Sequence, residues 1–241
     1  MAEAKIKAQV YKDPRPAEYF DRFHERARKG RGYAFVYAIV RMILTPPTLI
    51  FYRLRARGQE RIPETGPVIL AANHFSQFDH FFAGVFLRRQ IQFMAKSQLF
   101  KLPGLTWIFT HGGVFPVRRG YDDQEAFITA ERILASNGTV LIYAEGGRSR
   151  TGELGEPKRG VGKVALDSGA PVIPVAIYGS AGVRNWTRLR FPKVRVGYGE
   201  PITFPAEPNS SHERQQEVAD HVFSEVRRLY GDLHRELGHS E

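Results

Sequence analysis

The residues His74 and Asp79, within the segment NHFSQFDH, have the types and spacing that acid–base chemistry requires. The segment follows the apolar run 68–72 (VILAA), which predicts a buried strand ending just before the histidine. On one continuous helix the two side chains would point about 140° apart. With His74 in a loop and Asp79 in the first turn of the next helix, the carboxylate can fold back onto the imidazole. The second ring nitrogen can then take a proton from a hydroxyl.

Two other uses of this segment stay open from the residues alone. His74, Asp79 and His80 are all types that bind metals, although adjacent residues 79 and 80 point in different directions. A histidine in such a place also commonly hydrogen-bonds within a turn or caps a helix. A single H-x₄-D pair is therefore weak evidence when taken alone.

A second stretch with binding chemistry, EGGRS at 145–149, follows the apolar run 139–143 (TVLIY). Its two glycines let the backbone approach a ligand closely, and Arg148 offers a two-pronged donor to phosphate. Lys158 comes just before a helix predicted from residue 160, whose N-terminus also favours anions. The alternative is a solvated loop with ordinary turn glycines.

A third stretch, GGVFPVRR at 112–119, is a short strand pattern that ends in the pair Arg118 and Arg119. Either arginine could complete a basic pocket, although arginines at strand ends are commonly solvated. In all three stretches a charged or reactive side chain follows a strand. The carboxyl ends of parallel strands meet at one edge of a sheet, so we expect these stretches to converge.

The alternation of strand and helix patterns from residue 56 onward predicts an α/β fold, a mostly parallel sheet flanked by helices. We expect an α/β domain at 57–241 and an N-terminal helical, basic segment at 1–56. The predicted strands are 68–72, 92–95, 114–117, 139–143, 171–178 and 194–198, and the predicted helices are 77–87, 103–110, 122–137, 160–169 and 210–237.

The composition of the chain restricts both its chemistry and its partners. The 241 residues include no cysteine, which excludes disulfides, thiolate metal sites and cysteine nucleophiles. The formal net charge of +10 implies a polyanionic partner, either nucleic acid, anionic lipid or a phosphate-rich substrate. Residues 1–60 hold 13 basic and 6 acidic side chains, so most of the surplus lies in the first quarter. Neither a recognition helix nor an aromatic stacking ribbon stands out, so we expect no nucleic-acid partner.

The segment 33–52 is apolar, with Arg41 as its only charged residue. As a straight helix it would be about 30 Å long, which matches the hydrocarbon core of a bilayer. Arg41 near its middle and the predicted break or sharp bend at Pro46 and Pro47 argue against a simple span. Basic residues flank both ends, so charge gives no orientation. Two helices lying in the membrane interface are favoured, while a span or a hairpin packed on the core stay open.

In this order and spacing, the stretches resemble the glycerolipid acyltransferase family, in particular the 1-acylglycerol-3-phosphate (lysophosphatidate) acyltransferases. NHFSQFDH matches the H-x₄-D motif, and GVFPVR at 113–118 looks like the second motif, whose terminal arginine would be Arg118. EGGRS is similar to the third motif, E-G-T-R-S. VIPV at 172–175, with Pro174, is similar to the fourth, and Lys96 corresponds loosely to a lysine common in the family. The resemblance covers about residues 66–178.

Two positions depart from the family pattern. Gly147 stands where the third motif usually has threonine, which removes no charged group. Pro116 stands where the second motif commonly has isoleucine, which puts the pairing of that strand in doubt.

The resemblance implies a role for each matched residue. His74 would be the general base, and Asp79 would orient it. The acceptor phosphate would be bound by a basic, glycine-containing group, with further support from three looser matches. The phosphate group comprises Arg118, Glu145, Gly146, Gly147, Arg148 and Lys158, and the supporting residues are Lys96, Ser149 and Pro174. No metal or cofactor is expected. The apolar runs 78–86 and 102–109 are candidates for an acyl-chain tunnel.

The resemblance also implies a reaction and a location. An acyl group would pass from acyl-CoA or acyl carrier protein to lysophosphatidate, giving phosphatidate at the cytoplasmic face of the cell membrane. The protein would attach there to phospholipids as a peripheral or monotopic protein. Glycerol 3-phosphate or another lysophospholipid is an alternative acceptor. A non-catalytic lipid-binding protein is the alternative from another functional class.

Overall fold

The computed structural model describes residues 12–29, 33–121, 123–149, 151–183 and 191–238. They form a seven-stranded sheet with helices on both faces, so the predicted α/β class is confirmed. The strands are β1 (Arg55–Arg57), β2 (Val68–Ala72), β3 (Gln92–Lys96), β4 (Val114–Val117), β5 (Thr139–Tyr143), β6 (Val172–Tyr178) and β7 (Arg195–Tyr198). The helices are α1 (Asp21–Lys29), α2 (Tyr33–Phe51), α3 (Asp79–Gly84), α4 (Pro103–His111), α5 (Gln124–Ala135), α6 (Gly160–Ser168) and α7 (His212–Gly238).

The sheet has the strand order β1-β7-β6-β2-β5-β3-β4. The five strands from β6 to β4 are parallel, whereas β7 is antiparallel to β6 and β1 is parallel to β7. Strand β2 lies in the middle, and all five of its residues are buried because both faces of the sheet are covered. The loops that follow β2, β5 and β4 therefore leave the sheet at one edge, which we call the carboxyl edge.

Alternate residues of β2 belong to different hydrophobic cores, as the period of a strand requires. Ile69 and Ala71 pack with α5, α6 and α7, whereas Leu70 packs on the opposite face against residues of α3 and the Tyr52 region. Helices α6 and α7 approach closely, because Gly162 has the backbone of Gln215 where a side chain would be. The sheet is thus held rigidly from both sides, which fixes its carboxyl edge.

The N-terminal helices differ in how they meet the sheet. Helix α1 buries Phe23 and Ala27 and packs against α5 and β4, so it leaves no broad apolar face exposed. Helix α2 is mostly exposed, with an apolar window at 34–51 that is long enough to cross a membrane. It continues through Pro46 and Pro47, so the predicted break there is wrong. The amides missing at these prolines would have bonded the carbonyls of two exposed residues, which water or lipid headgroups can solvate instead.

Arg41, the single charge in the apolar segment, faces the body of the protein rather than lipid. Its Nη2 donates a hydrogen bond to the carbonyl oxygen of Val85, at 2.8 Å. This bond satisfies the carbonyl at the end of α3 and ties the middle of α2 to the α/β body. The charge is therefore an anchor between two helices.

Most predicted elements are found within two residues of their expected bounds, and 68–72, 114–117 and 139–143 are reproduced unchanged. The predicted helix 77–87 is shorter, because the residues before Asp79 form a turn around its carboxylate. The predicted helix 122–137 begins at residue 122, which lies outside the described residues. Pro116 is accommodated because β4 is an edge strand, which pairs with β3 and with no other strand of the described ranges. Strand β1 crosses the division expected at residue 56, and that division itself stays a prediction.

Candidate active site

The imidazole of His74 and the carboxylate of Asp79 are in contact at the carboxyl edge of the sheet. His74 lies in the loop after β2 and Asp79 is the first residue of α3, so the loop-and-first-turn arrangement expected from the spacing is found. His74 Nδ1 and Asp79 Oδ2 are 2.9 Å apart. Because a carboxylate accepts, this contact assigns the proton to Nδ1 and leaves Nε2 with a free lone pair.

The carboxylate of Asp79 is completely buried, and its loop is built around it. Besides the imidazole, Oδ2 accepts hydrogen bonds from the backbone amides of Phe75 and Ser76, at 2.7 and 2.8 Å. Its other oxygen, Oδ1, is buried and has no hydrogen-bond partner among the described residues. The turn between His74 and Asp79 is thus held by the same oxygen that holds the imidazole.

The environment of His74 keeps its imidazole neutral. Burial lowers the pKa of His74 below its usual 6.5, the bond and the charge of Asp79 oppose this, and the guanidinium groups of Arg148 and Arg119 lower the pKa further. A neutral imidazole at physiological pH is the form that a general base requires. The site therefore combines a neutral imidazole with nearby positive charge.

Glu145 fastens the loop after β5 to the histidine loop. Its Oε1 accepts the backbone amide of His74 at 3.2 Å, and its Oε2 accepts that of Gly155 at 3.2 Å. The amide of Ser149 donates to the carbonyl of His74 at 2.8 Å. The carboxylate predicted to help in phosphate binding is thus directed at backbone amides, where it fixes the position of the EGGRS loop relative to the base.

Two glycines of the EGGRS loop make room for long cationic side chains. A Cβ added at Gly146 would lie 2.8 Å from Cδ of Lys158, and one added at Gly147 would lie 3.1 Å from Nη1 of Arg119. Gly146 also has a φ of +64°, which side chains rarely adopt. The glycine that replaces the family's threonine at 147 therefore lets the Arg119 guanidinium approach the loop.

Three cations of the site have neither a hydrogen bond nor an ion pair from their side chains to any described residue. They are Arg119, Arg148 and Lys158, carried by the loops after β4 and β5. Burial lowers the pKa of Arg119, and the charge of Arg148 lowers it further, so the two guanidinium groups interact. Cations brought together without counter-charges form a binding site for an anion such as phosphate.

Arg118, which sequence reasoning selected for phosphate binding, points away from this cluster. Its Nη2 donates to the carbonyl of Arg15 at 3.1 Å, and its guanidinium lies 4.1 Å from the ring centre of Tyr121. Arg119 is the residue of the pair that reaches the EGGRS loop. Alternation of side chains along a strand separates the two arginines, but the sequence does not say which one faces the site.

The remaining predicted residues, Lys96, Ser149 and Pro174, occupy different parts of the sheet and its loops. Lys96 is exposed at the end of β3, and the hydroxyl of Ser149 lies 3.1 Å from that of Thr151. Pro174 is buried inside β6, opposite Ala71 of β2, and so belongs to the sheet rather than to its edge.

His80 does not converge with His74 and Asp79 as a metal site would require. Its ring lies against Phe81 and Phe93, and burial lowers its pKa to about 3. Across the described ranges, no group of three or more histidine, aspartate or glutamate side chains is placed to hold a metal ion. His80 instead forms part of an apolar wall.

That wall belongs to an apolar groove between α2 and the body, next to the histidine–aspartate pair. The groove encloses about 650 Å³, including its part open to solvent. It unites the two apolar runs expected to form an acyl tunnel, since Phe81 comes from the first and Ile108 and Phe109 from the second. Its principal lining residues are Tyr37, Val40, Leu44, Phe81, Phe93, Ile108 and Phe109.

Fold and site together correspond to a known enzyme family. The family model described as Acyltransferase matches residues 53–178, more than half of the 241-residue chain. The chain therefore belongs to the acyltransferase family, and the resemblance drawn from its motifs is confirmed.

Two relatives of this chain are both named for the acceptor 1-acyl-sn-glycerol 3-phosphate. The chain is 28% identical over 159 residues to 1-acyl-sn-glycerol-3-phosphate acyltransferase LPAT1, chloroplastic, of Arabidopsis thaliana, covering 63% of this chain and 44% of that protein. It is 32% identical over 146 residues to the human 1-acyl-sn-glycerol-3-phosphate acyltransferase beta, covering 58% and 52%. The chain thus spans about half the length of these relatives.

A solved structure shares nearly the whole fold. The crystal structure of the 1-acyl-sn-glycerophosphate (LPA) acyltransferase PlsC from Thermotoga maritima aligns with a TM-score of 0.59 at 25% identity. The alignment covers 88% of this chain and 92% of that one. The similarity therefore includes elements outside the four motifs.

The protonation of His74 provides a test that needs no substrate. We expect its imidazole to titrate below pH 6.5, because burial outweighs the aspartate. In Asp79→Asn the negative charge that raises the pKa is removed, so the titration should move to still lower pH. The measurement is proton NMR of the histidine ring signals, with His74→Gln to assign the resonance. A His74 titration at or above pH 6.5, or an upward shift in Asp79→Asn, would contradict this account.

Proposed function

We propose that this protein transfers a fatty acyl group from an acyl thioester to the free hydroxyl of 1-acylglycerol 3-phosphate, giving phosphatidate for phospholipid synthesis. The observation that carries the proposal is the neutral His74, held by Asp79, beside three cations whose side chains form no ion pair with any residue that the structure describes. A base next to an anion site suits a substrate with a hydroxyl close to a phosphate. The names of the relatives agree with this acceptor.

In the proposed reaction, Nε2 of His74 takes the proton of the acceptor hydroxyl as its oxygen attacks the thioester carbonyl. Asp79 keeps the proton on Nδ1 and stabilises the imidazolium that forms. The carbon–oxygen bond forms, the carbon–sulfur bond breaks, and the departing thiolate takes the proton from the imidazolium. The protein then returns to its starting protonation state, and no covalent intermediate on the chain is needed.

The acceptor phosphate would be bound by Arg119, Arg148 and Lys158. Holding the phosphate in this cluster keeps the neighbouring hydroxyl near Nε2, which turns the attack into an effectively intramolecular step. We assign Arg119 to this role in place of Arg118, whose guanidinium is engaged by Arg15 and Tyr121. Glu145 serves in the proposal by fixing the loop, since a carboxylate would repel the phosphate.

The acyl chain would occupy the apolar groove beside the pair. The His80 ring in its wall is neutral and packed against aromatic side chains, so it presents a non-polar surface. The groove is lined on one side by α2, which therefore would contribute to binding the chain as well as to attaching the protein to lipid. Either acyl-CoA or acyl carrier protein could deliver such a chain.

The attachment to membranes would be monotopic, at the cytoplasmic face. One face of α2 lies towards the groove, because four residues at helical spacing line it: Tyr37, Val40, Arg41 and Leu44. The opposite face is apolar and exposed, and exposed apolar residues of the α4 region continue it. The exposed residues are Phe35, Met42, Ile43 and Ile50 in α2, and Leu102 and Trp107 in or next to α4. Because α2 packs against the body along one face, its other face would lie in the membrane surface.

The first prediction from the proposed function concerns turnover. With palmitoyl-CoA and 1-acylglycerol 3-phosphate, the wild type should release thiol and form phosphatidate in equal amounts, and His74→Ala should lower the rate by about 10²-fold or more. Both products are quantified, with melting temperature as the control for folding. Thiol release without phosphatidate would redirect the assay to glycerol 3-phosphate and other lysophospholipids. If neither acyl-CoA nor acyl carrier protein is used with any of these acceptors, the proposal fails.

The second prediction separates the two adjacent arginines. Arg119→Ala should lower kcat/KM for the acceptor by about 10- to 100-fold, because it removes a charge-assisted bond to phosphate. Arg118→Ala is the matched control, and it should lower the melting temperature while leaving kcat/KM for the acceptor within about threefold. Steady-state kinetics with varied acceptor distinguish the variants. The reverse pattern would contradict this assignment and would give the phosphate-binding role to Arg118.

The third prediction concerns the exposed apolar face. The chain has two tryptophans, and in Trp186→Phe only Trp107 remains to report on α4. On addition of vesicles of phosphatidylcholine and phosphatidylglycerol, Trp107 emission should shift to shorter wavelength and be quenched by brominated lipid. Phe35→Ser with Ile50→Ser should weaken vesicle binding by about tenfold or more, because apolar area is lost from the contact.

The control for vesicle binding is Ile128→Ser, on the exposed side of α5, where the residue is 40% exposed. It removes one exposed apolar side chain, with less exposed surface than Phe35 and Ile50 together, from a helix that packs with α1 and α6 rather than with α2. Equal loss of binding in this control, or Trp107 emission that does not respond to vesicles, would refute the assigned face.

A further inference from the structure

The imidazole of His74 lies flat on the ring of Tyr143. The ring centres are 3.7 Å apart and the planes differ by 12°. The sheet sets up this stack, because Tyr143 is the last residue of β5 and pairs in register with Ala72, the last residue of β2. The base thus has a covered face that comes from the strand leading into the EGGRS loop.

The hydroxyl of Tyr143 has no evident part in this arrangement. It is buried and has no hydrogen-bond partner among the residues that the structure describes. Burial raises the pKa of Tyr143 well above its usual value, and the charge of Asp79 raises it further, so the phenol stays protonated. A buried phenol usually forms a hydrogen bond through its hydroxyl, and among the described residues Tyr143 is an exception to this rule, so the hydroxyl does not explain why the residue is placed here. The feature that the site uses at this position is therefore the flat ring.

The bond to Asp79 alone leaves one motion of the imidazole open. A single contact at Nδ1 fixes one edge of the ring. The ring can still rock about that contact, which would move Nε2 away from the acceptor hydroxyl. A parallel ring in van der Waals contact blocks the rocking on one side. Its electron-rich face also favours the imidazolium that forms when a proton is taken.

We propose that Tyr143 is a positioning residue for the base: its ring holds the imidazole of His74 in the plane in which Nε2 meets the acceptor hydroxyl. This inference rests on the proposed role of His74. Positioning through a stacked ring affects the rate of proton transfer and not the binding of either substrate, which separates it from a role in the phosphate site or the acyl groove.

The experiment compares Tyr143→Phe, which keeps the ring, with Tyr143→Leu, which keeps an apolar side chain but removes the flat surface. We expect kcat of the phenylalanine variant within about twofold of the wild type, and kcat of the leucine variant lower by about three- to tenfold with KM for donor and acceptor unchanged. Equal loss in both variants, an unchanged kcat in the leucine variant, or a change confined to KM would overturn the inference.

A second measurement does not depend on turnover or on the leucine variant. In ¹³C relaxation of the labelled His74 imidazole, the ring of the wild type and of Tyr143→Phe should be as rigid as the backbone around it. In Tyr143→Leu, or in Tyr143→Met if the leucine variant does not fold, the ring should move with larger amplitude while Nδ1 keeps its proton. A ring that is equally rigid in every variant would also overturn the inference. Loss of the proposed function is recognised separately, as a wild type no more active than His74→Ala.

Discussion

The site depends on one buried carboxylate oxygen. Oδ2 of Asp79 accepts the imidazole of His74 and the amides of Phe75 and Ser76, all from the segment that precedes it. A fully buried negative charge is costly unless it is hydrogen-bonded, so the turn must close around the carboxylate. The same closure that satisfies Asp79 sets the direction of His74. The closure of the loop and the orientation of the imidazole therefore depend on the same oxygen.

The parallel register of β2 and β5 extends this local arrangement into a complete site. Because Ala72 pairs with Tyr143, the loops that follow both strands start side by side. Glu145 and Ser149 then join the second loop to the backbone of His74. The glycines between them leave space for Lys158, from the far end of the same loop, and for Arg119, from the loop after β4. A one-residue slip would turn Tyr143 to the other face of the sheet and remove the stack on the imidazole.

Much of this could be predicted from the sequence, because the central strands are continuous apolar runs between turn residues. The order of the strands in the sheet could not be predicted from the sequence, since it depends on how the helices pack. Strand β1 was missed because three residues, two of them arginines, carry no strand pattern. The sequence could not decide between Arg118 and Arg119 for a related reason. Neighbouring side chains at a strand end point in opposite directions, and only the packing around Arg15 decides which guanidinium faces the loop.

The guanidinium groups of Arg148 and Arg119 also influence the pKa of His74, which in the proposed reaction would couple phosphate binding to proton transfer. In the free protein, burial lowers the pKa of His74 and the charges of Arg148 and Arg119 lower it further, which keeps the imidazole neutral but also makes it a weaker base. In the proposed reaction, a phosphate bound between the guanidinium groups would offset their charge and raise the basicity of His74 when the hydroxyl is in place. The base would be strongest with the acceptor bound and weakest without it. A site that positions its substrate through the phosphate would thus also adjust the base through it.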